Sequence, residues 1–80
     1  MLEEKRIPVS KLKSGKSGRV IEISGGKGVT DRLAALGIRP GQKLTKISSM
    51  LWKGPVTIQA GHTRVAIGHG MASKIIVDPE

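Results

Sequence analysis

Eighty residues without a cysteine bound the problem to one small domain, read as residues 1–80, and exclude a disulfide framework or a thiolate metal site. Fourteen Lys and Arg face six Asp and Glu, a formal charge of +8 that favours acidic partners. No apolar run approaches the roughly 18–20 residues of a membrane span, and Met1-Leu2-Glu3-Glu4-Lys5 is not a signal peptide, so the reading is a soluble, cytoplasmic chain.

Charge is unevenly spread. Four of the acids, Glu3, Glu4, Asp78 and Glu80, sit at the two ends. Between Lys5 and Val77 all fourteen cations face only Glu22 and Asp31. Nucleic acid, anionic lipid and an acidic protein face all fit such a field, as does a plain solvated surface.

In chain order, Ile7-Pro8-Val9 reads as a short extended entry. Ser10 to Gly15 reads as a capped single turn anchored by Leu12. Lys16 to Ser24 is the first long strand, with Val20, Ile21 and Ile23 apolar and Glu22 outward. Gly25-Gly26-Lys27-Gly28 breaks it. A helix is predicted over 30–36. Thr30 is its expected N-cap, Asp31 meets the positive end of its dipole, and Leu33 and Leu36 share its apolar face. Gly37 is placed to close the helix in the left-handed conformation, which brings Ile38 back onto Leu33. Pro40-Gly41 fits the central pair of a type II turn.

Gln42 to Ser49 is the next strand. Leu44 and Ile47 fall on opposite parity there, which signals a bulge or a strand covered on both faces. Met50 to Pro55 reads as a loop. Val56 to Ala60 alternates cleanly, so it is a half-buried strand. Gly61-His62 turns it into a hairpin with Arg64 to Ile67. Gly68 to Ser73 reads as a second short turn or helix, near 69–73. Lys74 to Val77 is the last strand, stopped by Asp78-Pro79. About five short strands with two brief connections point to a mainly β fold, a small antiparallel barrel plugged at one end by the helix.

Arg32-Leu33, Leu36-Gly37-Ile38 and Pro40-Gly41, after a strand and Gly25-Gly26, resemble the helix-and-turn signature of FeoA proteins. The likeness continues through Gly54-Pro55, Val65-Ala66-Ile67, Met71-Ala72 and Ile75-x-Val77. The resemblance implies an SH3-like barrel, the cytoplasmic accessory protein of bacterial ferrous iron uptake. It also implies a partner, the membrane transporter FeoB, whose cytoplasmic part is a GTPase domain. The chain would then sit at the inner face of the membrane through that partner. The same domain occurs at the C-terminus of iron-dependent repressors, so an interaction domain of that kind stays open.

Residue by residue, the chemistry is sparse. Gly25 to Gly28 resembles an anion cradle but lacks the spacing of a phosphate loop, and sharply turning glycines explain it as well. His62 and His69 are the only imidazoles. Iron(II) in a dedicated site wants two His and a carboxylate together, and no such spacing exists. No Ser–His–acid grouping is visible, so no enzyme is expected, and no catalytic residue, cofactor, metal ligand or small-molecule substrate is assigned.

The candidate partner-binding residues are Met50, Leu51, Trp52 and Lys53, with Arg32 and Arg39. Trp is enriched at binding hot spots, and here it stands in a loop, ringed by Lys46 and Lys53. The competing reading is a Trp that completes the core. A nucleic-acid role fits the charge, but single-strand binding wants several stacked aromatics and this chain has one. A homo-oligomer is a further option.

Overall fold

The computed structural model describes residues 6–49 and 54–80. Among these residues six strands form one antiparallel sheet: β1 (Ile7–Pro8), β2 (Ser17–Ile23), β3 (Lys43–Ser49), β4 (Val56–Ala60), β5 (Thr63–Ile67) and β6 (Ile75–Pro79). Their order is β1-β6-β2-β3-β4-β5. A 3₁₀ turn, Val9–Lys11, follows β1, and two helices, α1 (Gly26–Ala35) and α2 (His69–Ala72), complete the set.

The extended entry at Ile7 proves to be a strand in its own right, because Ile7 and Pro8 pair with Val77 and Ile76. β6 runs on through Asp78 and Pro79, past the stop expected after Val77. There β6 pairs with β2, Gly18 opposite Pro79. Proline donates no ladder bond, and here it stands at the last residue of its strand.

Two bulges curl the sheet around its core. One shifts the register between Val20 and Glu22, so Val20 is buried while Glu22 turns out. The other lies between Lys46 and Ser48, which accounts for the opposite parity of Leu44 and Ile47. β4 alternates buried and half-buried along its length. Its two-residue link to β5, Gly61-His62, pairs Ala60 with Thr63. Leu33, Ile38, Leu44, Ile58 and Ile75 are all fully buried in one cluster.

The helix differs from expectation at its start. α1 begins at Gly26, not Thr30, with Gly25 as N-cap at φ 104° and no side-chain cap bond. Thr30 is thus inside the helix, where its hydroxyl donates back to the Gly26 carbonyl at 3.0 Å. Asp31 is likewise past the first turn and pairs with Lys27, an exposed i,i+4 contact of little energetic weight.

The end of α1 matches expectation. The Gly37 amide donates to Ala34 and the Ile38 amide to Leu33, both at 2.9 Å. Those are the two bonds of a Schellman cap, with Gly37 at φ 86°. The cap sends Ile38 into the core beside Leu33. Leu36 does not join them: it is the C-cap and stays 38% exposed. The turn follows, Gln42 donating to the Arg39 carbonyl at 3.1 Å with Gly41 at φ 89°.

Two glycines should fail for different reasons. A Cβ at Gly37 meets nothing within 4 Å, so Gly37→Ala costs only the left-handed backbone, about 1 kcal/mol. That corresponds to a fall in Tm of about 4–8 °C. A Cβ at Gly18 would meet the Asp78 carbonyl at 3.1 Å and Val77 at 3.2 Å. Gly18→Ala should therefore lose more, about 1–3 kcal/mol, by forcing β2 from β6. Thermal unfolding of both variants checks the order.

Candidate docking surface

The C-terminal end of α1 is held on three sides. Leu33 and Ile38 anchor it from within. The turn after it is stitched to β2, the Gly41 amide donating to Val20 at 2.7 Å and the Val20 amide to Gln42 at 2.8 Å. The Arg19 guanidinium donates to the Gly41 carbonyl at 2.6 Å. Sequence reasoning missed that role for Arg19; nothing in its local pattern pairs it with a turn 22 residues away.

On this rigid end stand Arg32 and Arg39, both exposed. Neither makes an ion pair with another described residue. Leu36, the C-cap four residues after Arg32, is exposed as well. Exposed Leu36 is thus an apolar spot on a basic helix end. Met50, Leu51, Trp52 and Lys53 lie outside the described residues.

Lys46 corrects one expectation. Instead of ringing an exposed loop it is only 3% exposed, with Nζ donating to the Ser10 carbonyl at 2.9 Å. Strand parity could have found it, because Lys46 is two residues from buried Leu44 and so faces the same way. Burial lowers its pKa from the ordinary lysine value of 10.5.

The glycine stretch opens α1 instead of forming a separate cradle, and its Lys27 is taken by Asp31. His62 is exposed on the hairpin turn and His69 half-buried at the start of α2. Among the described residues, no group of three or more His, Asp or Glu is placed to hold a metal ion. Among them too, no helix is long and apolar enough to cross a membrane.

The model of the FeoA domain matches residues 7–79. The chain belongs to the FeoA family. Among curated relatives, a protein of Methanocaldococcus jannaschii with the provisional name Fe(2+) transport protein A is 38% identical over 71 residues. The match spans 89% of this chain and 84% of that one. A crystal structure of an iron uptake regulatory protein, FeoA, superposes with a TM-score of 0.87 at 33% identity, covering 95% of this chain and 99% of that one. The FeoA of Stenotrophomonas maltophilia, solved with zinc and described as an SH3 domain protein, gives 0.73 at 24% identity, covering 88% and 87%. The fold is therefore the SH3-like one of FeoA proteins, and the family ties this chain to ferrous iron transport.

Burial of Lys46 makes the stability of this FeoA fold depend on pH. With the folded pKa below 10.5, the unfolded chain binds more protons in the interval between the two values. Stability then rises with pH across that interval. The cost of the buried charge is present in full below the folded pKa and is relieved as pH climbs toward 10.5. Lys46→Met removes this contribution. Urea unfolding of both proteins from neutral pH to about pH 10 should show the native protein gaining on the variant as pH rises. A constant difference would contradict the assignment.

Proposed function

We propose that this FeoA protein is a non-enzymatic accessory of ferrous iron uptake that docks on the cytoplasmic part of a FeoB-type transporter and modulates it through surface contact. Family membership carries the reading. The basic balance of the chain supports it, since it favours an acidic face on the partner. So does the exposed Arg32, Leu36 and Arg39 group on a helix end held too firmly to need ordering on contact.

In this mechanism the apolar side chains of Met50, Leu51 and Trp52 supply the desolvated anchor. Lys53, Arg32 and Arg39 supply steering and register. Buried aromatic anchors dominate such interfaces, while rim charges set the on-rate and the salt dependence. Working as an accessory at a membrane partner, the protein would act on the cytoplasmic side.

Capture of the transporter from detergent-solubilised membranes tests the reading. Leu51→Ala with Trp52→Ala should weaken capture by about tenfold or more, with the thermal unfolding transition retained. Arg32→Ala with Arg39→Ala should weaken it less and flatten its salt dependence. Undiminished capture by all four substitutions together would remove the proposed surface. Titration with single- and double-stranded DNA and RNA at two salt concentrations separates off the nucleic-acid reading, which requires steeply salt-sensitive binding.

A further inference from the structure

The exterior carries a second feature, on other residues. A cleft of about 270 Å³ is lined by Ile7, Leu12 and Pro79, with Lys11, Lys13, Lys16 and Glu80 around it. Its lining surface is predominantly apolar. All three lysines are exposed, and none pairs with an acid among the described residues. Among the described residues Glu80 is the only acid lining it, and Lys43 already engages it at 3.4 Å.

The lysines do not stand on a loose loop. The Lys16 amide closes a turn onto the Lys13 carbonyl at 3.0 Å. Lys46 fastens that loop from behind at three points. Its carbonyl accepts from Gly15 at 2.6 Å, its amide donates to Lys16 at 2.9 Å, and its Nζ donates to Ser10 at 2.9 Å. A burial-disfavoured cation thus spends its one side-chain bond on holding the wall of this cleft.

We infer that the cleft between the 11–16 loop and the β1/β6 edge is a docking site for a short acidic peptide of a partner protein, one aliphatic side chain entering between Ile7, Leu12 and Pro79 while flanking carboxylates meet Lys11, Lys13 and Lys16. Size supports a side chain over a cofactor, since pockets for drug-sized ligands run from about 300 to 1,000 Å³. Shape supports a peptide over a lipid surface. Binding at a bilayer interface buries apolar groups that project from the protein, whereas here Ile7, Leu12 and Pro79 line a cleft and Leu12 is buried. Charge complementarity supplies the sign of the partner, and the fastened loop lowers the ordering cost of binding. None of these residues belongs to the surface proposed for the transporter, so either site can fail alone.

The probe is a synthetic capped peptide, Glu-Glu-Leu-Glu-Glu, titrated into the isotope-labelled full chain while amide shifts are followed. Shifts should cluster at Ile7 and over residues 11–16. Affinity should fall about tenfold in Lys11→Gln/Lys13→Gln/Lys16→Gln, whose substituted side chains are exposed and whose amide spectrum should otherwise be kept. A Leu-to-Ser peptide should also bind about tenfold more weakly, which separates an occupied cleft from diffuse attraction. Equal binding of the serine peptide, shifts centred elsewhere, or no shifts at millimolar peptide would each overturn the proposal. So would lysine-dependent co-sedimentation with anionic phospholipid vesicles in the absence of peptide shifts, which would assign the lysines to a membrane.

Discussion

The bond from the Ile38 amide to the Leu33 carbonyl sets the geometry on which the rest of the fold depends. It ends α1, reverses the chain and drives two large aliphatic side chains into one core. A ten-residue helix is marginal in water by itself, so α1 persists because this end is buried. Leu33 is its only fully buried residue. The Arg39–Gln42 turn then delivers the chain to β3 with two backbone bonds already made to β2. The pairing of β3 with β2 follows from that handover, and so does the position of Arg32, Leu36 and Arg39 on a firmly held end.

A second constraint runs through Lys46. Its position on the inward face of β3 is a consequence of strand parity with Leu44. An ammonium there is disfavoured, yet it has a carbonyl to meet, and no buried side-chain polar atom among the described residues is left without a partner. Burying an ammonium without a carboxylate partner carries a desolvation cost. The lysine therefore makes most sense as a device that orders the 10–16 loop. The two basic surfaces thus have separate supports: one rests on the helix cap, the other on this lysine.

Much of the chain was legible because its cues are local. Gly37 before Ile38 reads as a cap, Pro40-Gly41 as a turn, Gly61-His62 as a hairpin, and the alternation of Val56 to Ala60 as a half-buried strand. Leu44 against Ile47 betrayed the bulge in β3. The start of α1 was not legible, because glycine is a poor helix former by about 1 kcal/mol and Gly26-Lys27-Gly28 carries two of them. Packing overrides that propensity, with Val29 resting against the core. Leu36 was misplaced for the complementary reason. Helical spacing puts it near Leu33, but the helix has already ended there and the backbone turns away.

The amino-acid order by itself determined the family, the mainly β character, the helix cap and the basic balance, since each is carried by residue identity and by spacings of a few positions. Only the tertiary structure decided that Ile7-Pro8 is a sixth strand, that Lys46 points inward to Ser10, that Arg19 pins Gly41, and that Ile7, Leu12 and Pro79 line one cleft with three lysines. Those facts depend on the register between segments far apart in the chain, and register is set by how all the strands bury their apolar faces together, which no short stretch encodes.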